Sequence, residues 1–375
     1  MSAFNRHKTT NPTAKNIRIT SLLNEAITNH KNGDLGLAES LYKKVRKYDP
    51  KNVNAIGLLG VLAAQKENHV LSINLFSQAI SINPRYADAF YNRGNVYRKL
   101  EQFETAILDY NKFIALNPTS HLGFYQRGCT FKDSKRYFEA VKDLNSAISI
   151  NPSFLDAINE RGIVYRLLKE FEKSINSFED ALTIDPKFYN AILNRGVTYQ
   201  LSGNIENALF DYNTFLINDP TNVECLINRG SIFHELKEFD MALTDYGKAL
   251  LLEPQDTDAL NNRGITLNAL GKFDEALADF KSALLLKPSN ADGLMNRAIA
   301  LTELRRLDEA MQDIQKAIEI EPDNPKAFNS RGVINRDLGY FEMALNDFQS
   351  ALSLSPHDIN VINNMGNVYK DTGNY

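Results

Sequence analysis

Apolar residues recur along the chain three or four positions apart, in paired stretches separated by short polar breaks, which is the spacing of one helical face. Between Ala87 and Ser120, Phe90, Gly94 and Tyr97 mark a first helix; after a break, Phe103, Ala106, Tyr110, Phe113 and Ile114 mark a second. The stretch closes on Leu116-Asn117-Pro118. Proline cannot sit inside a helix and holds the residue before it extended, so it predicts the stop. Prolines at 50, 84, 118, 152, 186, 220, 254, 288, 322 and 356 repeat this signal every 34 residues, and only Pro12 and Pro325 fall outside the series. The period predicts ten full helix-turn-helix units: 19–52, 53–86, 87–120, 121–154, 155–188, 189–222, 223–256, 257–290, 291–324 and 325–358. A partial eleventh runs over 359–375, and residues 1–18, polar and without periodicity, are expected to be a disordered tail.

Glycine is placed as regularly as proline. Nine glycines hold the eighth position of a unit (Gly60, Gly94, Gly128, Gly162, Gly196, Gly230, Gly264, Gly332, Gly366). A glycine inside a helix costs about 1 kcal/mol relative to alanine, so its recurrence implies close approach of the paired helix. Gly33, Gly203, Gly271, Gly339 and Gly373 hold the fifteenth, where a left-handed cap would end the first helix.

These residues resemble the tetratricopeptide repeat (TPR), whose pattern asks for large apolar at position 4, small at 8, aromatic at 11, small at 20, aromatic at 24, small at 27 and proline at 32. Unit 257–290 supplies Leu260, Gly264, Ala276, Phe280, Ala283 and Pro288, with Leu267 in place of the first aromatic. The chain has no Trp for position 4, and Phe113 and Phe215 occupy position 27, where packing is expected to open slightly. The resemblance implies an all-α, right-handed superhelical solenoid over residues 19–375, with the first helices lining a concave groove.

Two ladders depart from the common pattern. Position 7 is arginine in eight consecutive units: Arg93, Arg127, Arg161, Arg195, Arg229, Arg263, Arg297 and Arg331. Position 23 is Asp109, Asp143, Asp211, Asp245, Asp279, Asp313 and Asp347, with Ser177 the exception, and both positions are leucine (Leu59, Leu75) in 53–86. The joint change points to a charge-assisted pair stapling helix to helix or unit to unit. Independently solvated charges, or arginines reaching a phosphate or acidic partner, are the other readings. Position 6 carries Asn92, Asn194, Asn228, Asn262, Asn296 and Asn364. Amides both donate and accept, so a row of them can hold a peptide backbone without demanding a sequence. The row resembles the asparagine ladder of O-linked N-acetylglucosamine transferase; a plain surface preference is the alternative. Acids at position 2 (Asp88, Asp156, Glu224, Asp258, Asp292) and Tyr91, Tyr125, Leu193, Ile227 and Met295 at position 5 would favour extended segments with basic and apolar side chains.

Charge and composition narrow the function further. A net charge of −4 argues against nucleic acid or an acidic membrane as partner. No long apolar run would span a bilayer and the first twenty residues lack a secretory h-region, so the expected compartment is cytoplasmic. Cys129 and Cys225 are far apart and the histidines scattered, so no metal or other cofactor is expected. Cys129 reads as a packed thiol and His234 as a solvated helix residue. No nucleotide, zinc or hydrolase motif appears, and position 5 is never lysine, so the TPR carboxylate clamp is absent. The expected function is a non-catalytic scaffold for protein or peptide segments. The alternative is a substrate-recruiting arm, because residues 22–65 also resemble the start of bacterial TPR proteins with a glycosyltransferase domain downstream. In the last unit Val361, Ile362, Met365 and Val368 would lack their partner helix, which suggests a continuing chain or self-association there.

Overall fold

The computed structural model describes residues 12–373. The chain divides into two compact units, 1–194 and 195–375. The first contains α1 (Pro12–Lys31), α2 (Leu35–Tyr48), α3 (Val53–Gln65), α4 (His69–Ile82), α5 (Ala87–Lys99), α6 (Phe103–Leu116), α7 (His121–Asp133), α8 (Tyr137–Ile150), α9 (Leu155–Leu167) and α10 (Phe171–Ile184). Helix α11 (Tyr189–Leu201) runs through the division. The second contains α12 (Ile205–Asn218), α13 (Val223–Glu235), α14 (Phe239–Leu252), α15 (Thr257–Ala269), α16 (Phe273–Leu286), α17 (Ala291–Glu303), α18 (Leu307–Ile320), α19 (Pro325–Asp337), α20 (Phe341–Leu354) and α21 (Ile359–Asp371). Among the described residues there is no strand. Odd-numbered helices are the first (A) and even-numbered the second (B) of each repeat.

Within each unit a helix packs on the one before and the one after it. A helices of neighbouring repeats also touch, as in α3 with α5 and α5 with α7, or α15 with α17 and α17 with α19. Many A helices start on an Asn or Asp whose side chain accepts from the first turn, as Asn52 does from the Ala55 amide (3.0 Å) and Asp256 from Ala259 (2.7 Å).

Eighth-position glycines give room to the buried ring sixteen residues later. Gly60 faces Phe76, Gly94 faces Tyr110, Gly230 faces Tyr246, Gly264 faces Phe280 and Gly332 faces Phe348. A Cβ on any of them would come within 2.5–2.9 Å of ring carbon. Phe113 and Phe215 at position 27 do not loosen the packing, since both are buried. For Phe113 the space comes from the next helix, where Gly123 stands in place of a side chain that would meet the ring at 2.7 Å.

The A–B turn repeats a left-handed residue at every fifteenth position, whether or not it is glycine. Gly33, Gly203, Gly271, Gly339 and Gly373 have positive φ, and so do Glu67, Glu101, Lys135, Lys169, Lys237 and Arg305, at 58° to 62°. A side chain there costs about 1–2 kcal/mol, partly offset by the smaller entropy lost relative to glycine. Lys169→Gly is therefore expected to stabilise the α9–α10 hairpin by about 0.5–1 kcal/mol. Native-state hydrogen exchange of α9 and α10 reads this out, and faster exchange in the variant would refute it.

Two differences concern the ends. Of the tail expected over 1–18, residues 1–11 lie outside the described residues, while 12–18 are the opening turns of α1. Leu22 and Ala26 are buried, and once they are packed the helix extends backward by propagation, which needs no new nucleus. Arg18 also lies over the Tyr48 ring at 4.9 Å. In α21, Val361 and Val368 are fully buried in a cluster with Phe348 and Ala351, while Ile362 is exposed.

Candidate functional site

The A and B helices of a repeat are joined by arginine–aspartate forks. Arg93 donates through Nε and Nη2 to the two carboxylate oxygens of Asp109, both at 2.8 Å. Arg127 pairs in the same way with Asp143, Arg195 with Asp211, Arg229 with Asp245, Arg263 with Asp279 and Arg297 with Asp313. Arg331 does so with Asp347, its Nε shared between both oxygens. Where Ser177 replaces the acid, Arg161 donates to its Oγ at 3.1 Å and to Asp180 at 2.7 Å. The aspartates are buried, and their carboxylates raise the Arg93, Arg229, Arg263 and Arg297 guanidiniums above the usual arginine range. In several repeats Nη1 also reaches the preceding B helix: Arg93 to Ser77 (2.8 Å), Arg229 to Asn213 (2.7 Å) and Arg331 to Gln315 (3.1 Å). The guanidiniums thus bind within and between repeats, leaving their planar forks filled.

The position-6 amides lie half-buried on the A helices but behave differently in the two units. In the first, a long cation at position 12 reaches forward to position 6 of the next repeat. Arg98 donates to Gln126 (3.0 Å), Lys132 pairs with Glu160 (2.6 Å) and Arg166 donates to Asn194 (3.3 Å). Asn194 also donates to Asn159 and to the Asn190 carbonyl, and Asn92 to the Asp88 carbonyl. Tyr91 and Tyr125 turn toward Phe113 and Phe154, with ring centroids 4.9 Å apart in both pairs.

From Gln200 to Thr302 position 12 is shorter (Gln200, His234, Asn268, Thr302), before Arg336 and Lys370 restore a cation there. Among the described residues the side chains of Asn228, Asn262 and Asn296 make no hydrogen bond. His234 is half-buried rather than solvated, its Nδ1 2.9 Å from Thr266 Oγ1, and burial lowers its pKa. Asn268 Nδ2 donates to the Asn296 carbonyl at 3.4 Å, while its own Oδ1 and that of Asn261 are buried without a partner. Buried acceptors in that state are uncommon. Glu224, Asp258 and Asp292 are exposed at the start of α13, α15 and α17. Between α17 and α19 opens a cleft of about 210 Å³ lined by Ile299, Thr302, Glu303, Asn329, Ser330 and Val333. Asn364 donates to the Asn329 oxygen at 3.0 Å. Ile299 and Val333, at position 9, and Glu303, at position 13, were not singled out by sequence; only an exposed isoleucine in an amphipathic helix could have signalled them.

Cys129 and Cys225 are buried, and burial pushes both thiols up to about 12, away from reactivity. Among the described residues no group of three His, Cys, Asp or Glu could hold a metal, and no helix is long and apolar enough to cross a membrane.

Helical hairpins joined by internal charged pairs, with A helices that present amides and a shallow cleft, define a helical-repeat array. Tetratricopeptide repeat profiles match residues 64–100, 87–120, 123–154, 155–188, 223–256, 261–325 and 325–358, well over half of the chain. The chain belongs to the tetratricopeptide repeat family, whose members mediate protein–protein interactions. Its fold is similar to that of a tetratricopeptide repeat protein from Parabacteroides merdae, with 23% identity, coverage of 66% of this chain and 98% of that one, and a TM-score of 0.54. It is also similar to a chain of the APC/C hetero-tetramer Cut9–Hcn1 (14% identity, 94% and 96% coverage, TM-score 0.51). A third likeness is to Pseudomonas aeruginosa PilF (20% identity, 56% and 95% coverage, TM-score 0.50). At these identities the likeness is one of fold. No curated protein matches the chain.

Proposed function

We propose that the chain is a non-catalytic scaffold that holds extended protein segments along the A helices of residues 195–375. The observation that carries this is the set of unengaged amides there: Asn228, Asn262 and Asn296 without side-chain partners, beside the orphaned oxygens of Asn261 and Asn268. An extended backbone offers alternating N–H and C=O groups, which amides can meet in either sense. The exposed acids at position 2, together with Glu303, favour basic side chains in the bound segment. The Ile299–Val333 cleft takes an apolar one.

The test is the triple variant Asn228→Ala, Asn262→Ala, Asn296→Ala, assayed by fluorescence anisotropy against peptides with alternating basic and apolar residues. Losing three hydrogen bonds at about 0.5–1.5 kcal/mol each is expected to weaken binding about tenfold or more. Equal affinity of the wild type and the triple variant would refute the reading.

A further inference from the structure

In four of the eight arginine repeats position 11 supplies a ring to the arginine four residues before it. Tyr97, Phe131, Tyr199 and Phe233 lie over Arg93, Arg127, Arg195 and Arg229, with guanidinium carbon to ring centroid distances of 5.7 to 5.9 Å. In Arg93 and Arg127 a second ring, Phe90 or Phe124, covers the guanidinium as well. Of the eight, repeats 257–290 and 291–324 have Leu267 and Leu301 there, and repeat 325–358 alone has an amide, Asn335. That amide is buried and donates from Nδ2 to Asp347 at 2.8 Å, and Arg331 keeps only the Phe328 ring, at 5.4 Å.

The missing ring leaves space. A cavity of about 780 Å³ opens between α18 and α20, with Asn335 and Arg331 in its lining. The same place one repeat earlier, between α16 and α18, contains Leu301 and measures about 470 Å³. The rims also differ. The earlier one carries Lys281 and the Arg306–Glu309 ion pair (2.7 Å), whereas the later one has Gln315, Tyr340 and Met343 at those positions. Tyr340 is 55% exposed and Met343 60%. Apart from the Arg331–Asp347 pair, Asp308 is the one charged residue of this lining.

We propose that the groove between α18 and α20 docks a partner protein by accepting one of its phenylalanine or tyrosine side chains over Arg331, on the side where position 11 supplies no ring. The chemistry that places Tyr97 or Phe233 on an arginine acts on an incoming ring, since a guanidinium attracts the negative face of an aromatic. Met311 and Met343 are unbranched and polarizable, so they can close around the edge of that ring. Aromatic anchors seated in well-packed pockets are the common form of an interface hot spot. The groove is built by α18, α20, the Arg331 and Asn335 side chains of α19 and Leu338 just after it, none of which lines the Ile299–Val333 cleft, so this docking does not compete for that cleft.

The experiment titrates N-acetyl-phenylalaninamide into the full chain carrying ¹³C-methyl methionine, with N-acetyl-leucinamide as comparison. Saturable shifts are expected at Met311 and Met343 and not at Met241 or Met295, with the leucine probe at least about fivefold weaker. Asn335→Phe should fill the cavity from within and abolish both shifts, while Asn335→Leu, which copies Leu301, should weaken them. Circular dichroism and the unfolding midpoint establish that each variant is folded. Equal response to both probes, shifts that survive Asn335→Phe, or no shift at either methionine would overturn the proposal. Self-association by sedimentation that Asn335→Phe abolishes would overturn the choice of a foreign partner in favour of a second copy of the chain.

Discussion

Arg229→Leu is expected to destabilise the α13–α14 hairpin by about 3–5 kcal/mol, because it strands a buried carboxylate. Asp245 is 2% exposed, and the two bonds it accepts from Arg229, both 2.7 Å, are the ones that neutralise it. Asp245→Leu should cost less, about 1–3 kcal/mol, since the guanidinium is less buried and keeps its bond to Asn213. The double replacement Arg229→Leu/Asp245→Leu should return to within about 1 kcal/mol of the wild type, as buried ion pairs replaced whole by apolar side chains often do. The molecule already contains that solution: Leu59 and Leu75 hold the same positions in repeat 53–86, both buried. A repeat array need not unfold in one step, so the readout is native-state hydrogen exchange of the α13 and α14 amides. Single effects that simply add up in the double variant would mean no coupling and would remove the fork from the forces that hold the hairpin.

The second large effect is a sign change within one register. Gly264→Ala should cost about 1–3 kcal/mol, since the new methyl meets the buried Phe280 ring, with carbons at 2.6, 2.9 and 3.0 Å, and an overpacked core must shift to relieve it. Gly366→Ala should instead stabilise by up to about 1 kcal/mol, because a Cβ there meets nothing within 4 Å and only helix propensity changes. Exchange rates in α15 and α21 compare the two directly. If both substitutions stabilise, ring contact is not what keeps glycine at the eighth position.

The helix pairs were legible because their signals are periodic: a proline every 34 residues, a small residue at position 8 and a large apolar residue, mostly a ring, at 24 leave one packing solution. The joint change of positions 7 and 23 to Leu59 and Leu75 exposed the fork, since only touching residues need change together. What stayed hidden was set by neighbours one repeat away. Asn92 and Asn228 look alike in sequence. Yet at position 6 of the first unit Gln126, Glu160 and Asn194 are tied down by Arg98, Lys132 and Arg166, and a ladder read by register alone cannot separate Asn194 from Asn228, Asn262 and Asn296. The left-handed turn at Lys135 or Lys169 was invisible because lysine gives no sign of positive φ. Asn335 went unremarked among the aromatics and leucines of the same register, although a larger cavity opens beside it. The start of α1 was misplaced because helix propagation leaves no mark in a polar sequence.

The forks, caps and cross-repeat ties share one property: they are short along the chain. Even ties that cross between repeats, such as Arg98 to Asp133 or Arg336 to Asp371, join residues 35 apart. Closing such loops sacrifices little chain entropy, and topologies made of them assemble quickly. A hairpin needs its neighbour and nothing more distant, so the amino-terminal repeats can settle while later ones are still leaving the ribosome, and little apolar surface waits exposed for a partner far down the chain.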